Sequence, residues 1–236
     1  PGSLNSRCTS RPAWTAGRWH AWRTILARGL PYLVPVAGFL AFWRWNGSIS
    51  LSPRQSALHP DLSLHAGNLF FAVFVAGALL PLHVVAGLRE FGAALRRQPW
   101  LLAVPILIFT AFWYGFHVDN PYNTVSPGYY VRNGLLLAAD ADPAVRMAGG
   151  AGVAIAACGL AFTRLRPAWA AWLYPFAVVF LAASWLIEQR YLLVPLVLWL
   201  AFRQQRPRAI EWATLALWLV LAVWVFLGVA NGRFFL

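Results

Sequence analysis

The sequence predicts an all-α polytopic membrane protein with about seven transmembrane helices. Hydrophobic residues make up 60% of the 236-residue chain, whereas charged residues make up only 11%. The apolar residues fall into long runs, and most of the basic residues lie in short segments between those runs. This composition is typical of membrane proteins and excludes a soluble domain with a single core.

The chain divides into a short N-terminal tail and a long helical domain. Residues 1–24 are polar and basic, and they predict a cytoplasmic tail or an interfacial helix anchored by tryptophans. Residues 25–236 form the transmembrane helical domain, with spans expected at residues 25–43, 66–88, 100–116, 147–163, 168–187, 191–202 and 210–229. The sixth run is shorter than the roughly 20 residues that an unaided crossing needs, so it is either re-entrant or extended by its flanks.

Two features inside the spans predict contacts between helices. The fourth span is rich in small residues, which let helices approach closely, and its glycines are Gly149, Gly150, Gly152 and Gly159. In the second span, His83 lies beside Pro81, and we expect its ring to bond to a neighbouring helix.

The distribution of arginine predicts the orientation. All 19 basic residues are arginine. With a cytoplasmic N-terminus and seven crossings, thirteen arginines lie on the inner side and six on the outer side. This bias has the sign of the positive-inside rule. It places the C-terminus outside and makes residues 44–65 and 117–146 outer loops.

The basic character of the chain does not predict nucleic-acid binding. The formal charge is +12, but the arginines are spread over separate loops and form no continuous basic surface. The sequence also predicts no metal centre. The spacing of His59 and His65 around Asp61 matches no compact zinc motif, and neither Cys8 nor Cys158 is placed to complete one.

The segment at residues 186–195 carries the clearest functional signal, because it places Glu188 and Arg190 in a turn between two apolar runs. Charge at such a point is costly unless it lies at the membrane surface or in a wet cavity. The two side chains therefore either form an interfacial ion pair that closes a helical hairpin or belong to a binding site.

The predicted outer face collects polar side chains that suit a polar substrate at the membrane surface. Arg132 and Arg190 are the expected phosphate ligands, because guanidinium groups bind phosphate in bidentate fashion. Asp119 or Glu188 is expected to accept a hydroxyl proton. Further candidate substrate-binding residues on this face are His59, His65, His117, Asn120 and Tyr191. The alternative is that these residues only solvate the outer loops.

Three stretches resemble the α-1,2-glucosyltransferases that use dolichyl-phosphate-glucose. Residues 46–51, followed by His59 and His65, are similar to one segment of that family. Residues 186–195 resemble its Leu-Glu-x-Arg-Tyr-x-x-x-Pro stretch, and residues 231–236 are similar to its C-terminus. The resemblance covers about residues 40–236 and implies the C-terminal half of a membrane glycosyltransferase.

This resemblance implies a hexose, glucose in that family, transferred from a polyprenyl-phosphate donor to a lipid-linked or cell-envelope glycan. The partners would be membrane lipid, the donor, the glycan acceptor and an N-terminal half or partner subunit. A divalent metal ion is the one cofactor that such chemistry could use.

Two departures from the family favour another interpretation. Residues 116–123 keep only an Asp-Asn pair of the family's outer-loop motif, and no acid-bearing first outer loop precedes residue 40. The alternative is a non-catalytic membrane subunit that binds lipid-linked substrates, or a transporter component. All-arginine usage and alanine richness indicate a bacterium with a GC-rich genome, and hence its inner membrane, with the functional face outward.

Overall fold

The computed structural model describes residues 14–47, 64–124 and 134–232. This part of the chain is helical and contains no β-strand, apart from an isolated bridge between Leu165 and Arg203. The chain separates into two units, Pro1–Ser56 and Ala57–Leu236. The described part of the first unit is one helix, α1 (Trp14–Asn46). The boundary expected at residue 24 between a tail and a span therefore falls inside a helix.

Helix α1 ends in a turn at Gly47. Gly47 has a φ angle of 71°, which side chains with a Cβ rarely adopt, and its N–H donates to the carbonyl of Trp43 at 2.9 Å. A glycine in this conformation just after the last helical residue is a common way to end a helix.

The second unit is a bundle of helices joined by short connections. Single turns of 3₁₀ helix lead into three of the helices, at Pro99–Leu102, Ala168–Trp172 and Gln189–Leu192. The described α-helices of this unit are α2 (Ala66–Leu79), α3 (Pro81–Arg97), α4 (Ala103–Gly115), α5 (Pro121–Thr124), α6 (Gly134–Ala141), α7 (Pro143–Ala161), α8 (Leu173–Ala182), α9 (Leu193–Phe202) and α10 (Arg208–Ala230).

The second expected span, residues 66–88, is two helices instead of one. The axes of α2 and α3 differ by 100° across the break at Leu80. Pro81 explains the position of the break, because it has no N–H to continue the helical hydrogen bonds and suits the first turn of a new helix. The carbonyl of Leu79, which the break frees, instead accepts a hydrogen bond from the indole of Trp218 at 2.7 Å.

Two described helices, α7 and α10, are long and apolar enough to cross a membrane, and the bent pair α2 and α3 makes a third if it counts as one span. The other apolar helices, Pro99–Gly115, Ala168–Ala182 and Gln189–Phe202, have only 10–17 residues. Helix length and composition therefore establish two or three candidate spans in the described part. Large apolar side chains on these helices are exposed, as on Phe176 (69%) and Phe226 (70%), which suits a lipid environment.

Helix α7 is the centre of the bundle and packs against α2, α3, α4 and α6. Its glycines lie at the contacts. A Cβ added at Gly150 would come within 2.9 Å of the Phe112 ring, and one at Gly159 within 2.7 Å of the Val84 carbonyl. The predicted close approach of helices at these glycines is confirmed. The core beside α7 is aromatic, with Phe70, Phe71, Phe112 and Phe116 buried together.

A charged group at the start of α10 ties this helix to α3 and α9. Arg203 donates from Nη1 and Nη2 to the two oxygens of Glu211, each at 2.5 Å. His83 on α3 is fully buried, with Nε2 3.6 Å from Glu211 Oε1 and Nδ1 3.4 Å from the Thr214 hydroxyl. The prediction that His83 bonds to a neighbouring helix is confirmed.

Candidate functional site

The turn between α8 and α9 holds the charged pair that the sequence singled out. Helix α8 stops at Ala182, five residues before the expected end of the span at residue 187. Glu188 is only 5% exposed, whereas the side chain of Arg190 is 75% exposed, and Arg190 Nε forms an ion pair with Glu188 Oε1. This hydrogen bond and the charge of Glu188 raise the pKa of Arg190. The pair therefore joins a buried carboxylate to a charged group at the surface.

The beginning of α2 packs against this turn. The N–H of His65 donates to the carbonyl of Ala182 at 2.7 Å, and the His65 ring stacks on Trp185 with centroids 5.8 Å apart. Asn68 is fully buried. It donates to the carbonyl of Leu181 at 3.3 Å and accepts from the N–H of Glu188 at 3.4 Å. One amide thus fixes both the end of α8 and the backbone beside the buried acid.

A glycine makes this approach of α2 possible. A Cβ on Gly67 would lie 2.7 Å from Ile187 Cδ1 and 3.1 Å from the carbonyl oxygen of His117. A side chain there would require Ile187 to change its side-chain conformation and the His117 carbonyl to shift by a few tenths of an ångström.

The loop after α4 covers the turn from the other side. Asn123 forms a reciprocal pair with Ile187: its amide donates to the Ile187 carbonyl at 2.9 Å, and the Ile187 N–H donates to its oxygen at 3.0 Å. Asp119 is exposed and accepts from the indole of Trp185 at 2.7 Å. Asn120 is 1% exposed, and its Oδ1 accepts from the N–H of Tyr122 at 2.9 Å.

These residues together form what we call the polar cluster, which consists of His65, Asn68, Asp119, Asn120, Asn123, Trp185, Glu188 and Arg190. It brings together the beginning of α2, the loop after α4 and the turn before α9. Exposed groups of both signs, Asp119 and Arg190, lie at its surface, and a buried carboxylate lies beneath. Such an arrangement can bind a phosphate at the arginine and a hydroxyl at a carboxylate.

The structure brings together five of the residues expected from the sequence: His65, Asp119, Asn120, Glu188 and Arg190, the last of which is paired to Glu188. His117 is exposed on the same loop, but its Nε2 donates to the carbonyl of Tyr114 at the end of α4, at 3.0 Å. Tyr191 is half-buried and packs against the apolar group around Leu181 and Leu192. His59 and Arg132 lie outside the described residues.

Sequence reasoning missed Asn68, Asn123 and Trp185. An amide one turn into an apolar helix was a usable signal for Asn68, because such a group must find a partner inside the fold. Asp142 also carried a readable signal, since it precedes Pro143. Its side chain accepts from the N–H groups of Ala144 and Val145 at 2.7 and 3.1 Å and thus caps α7.

Within residues 14–47, 64–124 and 134–232, no group of three or more histidine, cysteine or acidic side chains is placed to hold a metal ion.

Replacement of Asn123 by alanine is expected to destabilise the fold by about 2–4 kcal/mol, because it leaves a buried N–H and a buried carbonyl of Ile187 without partners. The free energy of unfolding of the full chain in detergent micelles measures the effect. Asn231→Ala is the matched control, since it removes one exposed bond to Leu227 at the end of α10. Equal losses for the two variants would contradict the structural role of Asn123.

No family of known sequences, no curated protein and no solved structure matches this chain.

Proposed function

We propose that this chain is a membrane glycosyltransferase, or the C-terminal portion of one. It would transfer a hexose, glucose by the resemblance described above, from a polyprenyl-phosphate donor to a lipid-linked or cell-envelope glycan. The observation that carries the proposal is the buried Glu188 paired with the exposed Arg190 at the end of apolar helices. A lipid-linked phosphate reaches a protein at such a point, where the apolar helices meet the membrane surface.

The chemistry proposed is direct displacement. The acceptor hydroxyl oxygen attacks the anomeric carbon of the donor sugar, and the bond from that carbon to the phosphate oxygen breaks. Asp119 or Glu188 takes the hydroxyl proton, and Arg190, with Arg132, stabilises the phosphate that leaves. Sugar hydroxyls would bind to the remaining candidates, His59, His65, His117, Asn120 and Tyr191.

Among these candidates, Asn120 has the structural feature that best supports a role in substrate binding. Its buried Nδ2 has no acceptor among the described residues, although its Oδ1 is already bonded. A buried donor without a partner is rare in folded proteins and supports a role in binding.

We further propose that all seven apolar segments cross a bacterial inner membrane, with the N-terminus in the cytoplasm and the C-terminus and polar cluster outside. The excess of arginine in the inner loops supports this orientation. The 3₁₀ turns ahead of α4, α8 and α9 lengthen these short helices toward the reach that a crossing needs.

Cysteine labelling tests this topology. Asp140→Cys is expected to react with a membrane-impermeant maleimide in intact spheroplasts, whereas Gln205→Cys is expected to react only after the membrane is broken. The two native cysteines are first replaced (Cys8→Ser and Cys158→Ala). Labelling of both positions from the same side would refute the proposed crossings between them.

One observation favours a second function, a non-catalytic subunit that binds lipid-linked substrates. Asn68, Asn123 and the backbone of Glu188 are engaged in holding the turn together. Much of the polar cluster therefore serves the fold, as expected of an assembly or lipid-binding subunit or a transporter component.

Donor turnover distinguishes the two functions. The purified full chain is reconstituted into vesicles with polyprenyl-phosphate carrying radiolabelled glucose, and a cell-envelope extract supplies acceptors. A glycosyltransferase consumes the donor and releases polyprenyl phosphate faster than empty vesicles do. Saturable donor binding without turnover would instead favour the subunit. If neither binding nor turnover of the glucose donor is observed, both proposals are excluded for glucose donors.

A further inference from the structure

A polar cavity lies at the opposite end of α9 from the polar cluster. Glu188 and Arg190 precede α9, and this cavity is lined by the residues that follow it, about 15 Å further along the helix axis. Its volume is 440 Å³, within the range of pockets that hold small ligands. The residues that line it come from the end of α3, the loop after α7 and the loop before α10: Glu90, Ala93, Ala94, Arg97, Arg164 and residues 204–207.

Hydrogen bonds hold the walls of this cavity in place. The N–H of Gln204 donates to the Arg164 carbonyl, and the N–H of Arg166 donates to the Phe202 carbonyl, each at 2.8 Å. These two bonds fix the loop after α7 against the loop after α9. Arg206 then joins that loop to α3 through an ion pair with Glu90. The cavity is therefore built from three segments that are tied to one another.

The cavity carries an excess of positive charge. Glu90 offsets the charge of Arg206, whose side chain is only 16% exposed. Arg97 and Arg164 are exposed, and no carboxylate among the described residues lies within ion-pair distance of either. Two uncompensated guanidinium groups that line one cavity suit a phosphate, which each can bind through a planar pair of donors.

Helix α3 brings its basic residues to the side that faces away from the bundle. It lies at 100° to α2 and buries His83, Val84 and Gly87. Leu82, Val85, Arg89 and Arg96 follow one exposed stripe of the helix, which is apolar near its beginning and basic near its end. Arg97 at the end of α3 is therefore free of the bundle core and available to an anionic ligand in the cavity.

We infer that this cavity, which we call the arginine cavity, binds a phosphate group through Arg97 and Arg164. Both anionic phospholipid headgroups and soluble diphosphates carry this chemistry. The simpler alternative is that these arginines only raise the positive charge of inner loops and offset the dipole at the end of α3. The inference concerns the end of the bundle away from Glu188 and does not depend on transferase activity.

Binding by the full chain in neutral detergent micelles tests the inference with two probes. Native mass spectrometry measures retention of added phosphatidylglycerol, and a thermal-unfolding shift measures binding of inorganic pyrophosphate. The test variant is Arg97→Gln with Arg164→Gln. The matched control is Arg96→Gln with Arg166→Gln, which removes the same charge from adjacent positions that do not line the cavity.

We expect saturable binding of at least one probe, with a Kd that rises at least about tenfold in the test variant and less than about twofold in the control. Binding of phosphatidylglycerol alone would identify a lipid headgroup as the source of the phosphate. Binding of pyrophosphate alone would identify a soluble ligand as its source. Equal losses in the two double variants, or saturation by neither probe, would overturn the inference. If the double variant does not fold, Arg164→Gln alone gives the same comparison against Arg166→Gln.

Discussion

Glu188→Gln is expected to lower donor turnover at least about 100-fold, because the amide keeps the shape of the carboxylate but cannot accept the proton of the acceptor hydroxyl. Donor binding should change much less, since the exposed Arg190 remains in place. Initial rates in reconstituted vesicles, with donor affinity measured separately, give the two values.

The control for this variant is Asp140→Asn, which removes a carboxylate on α6 outside the polar cluster. We expect its turnover to match that of the unsubstituted chain. Asp119→Asn separates the two candidate bases: the acid whose loss removes the acidic limb of the pH–rate profile is the base. If Glu188→Gln and Asp119→Asn both turned over donor at the original rate, the proposed catalytic role of the polar cluster would be wrong.

Gly87→Ala is expected to cost at least about 3 kcal/mol of unfolding free energy, or to prevent accumulation of the protein. A Cβ at Gly87 would overlap the carbonyl oxygen of Gly159 on α7. The atoms that Gly87 would meet belong to the backbone of Gly159, and Gly159 itself lies against the backbone carbonyl of Val84. No rotamer change relieves the overlap, so α3 and α7 must separate.

The matched control lies on the same helix. A Cβ on Gly92 meets nothing within 4 Å, so Gly92→Ala should stabilise α3 slightly through its better helix propensity. Unfolding midpoints of both variants in micelles provide the comparison. Equal stability of Gly87→Ala and Gly92→Ala would show that α3 does not cross α7 at these glycines.

The positions of α4, α7, α8, α9 and α10 could be predicted from the sequence because apolar runs and arginines mark their centres and ends, whereas α5 and α6 lie inside the expected outer loop 117–146. The break at Leu80 could not, since an apolar run containing Pro81 is compatible both with a kinked span and with two helices. The orientation of α3 depends on its packing against α7, and composition carries no information about that contact. The same limit applies to the end of α8, where the turn after Ala182 is set by bonds to α2.

The candidate site was predictable where charge interrupts an apolar sequence, as at Glu188 and Arg190. Its supporting amides were not, because their partners are far away in the chain. Asn68 lies 120 residues from Glu188, and Asn123 lies 64 residues from Ile187. Only the folded chain brings these pairs together, and a single sequence contains no record of such long-range bonds.

Photocrosslinking tests most directly whether the polar cluster receives a lipid-linked phosphate. The full chain in vesicles is irradiated with polyprenyl phosphate that carries a diazirine beside the phosphate, and the labelled peptides are identified. We predict labelling of residues 183–192 and 117–124 that unlabelled polyprenyl-phosphate-glucose displaces and that Arg190→Ala abolishes. Labelling confined to the lipid-exposed face of α10 or to the arginine cavity, without displacement by the donor, would contradict the account.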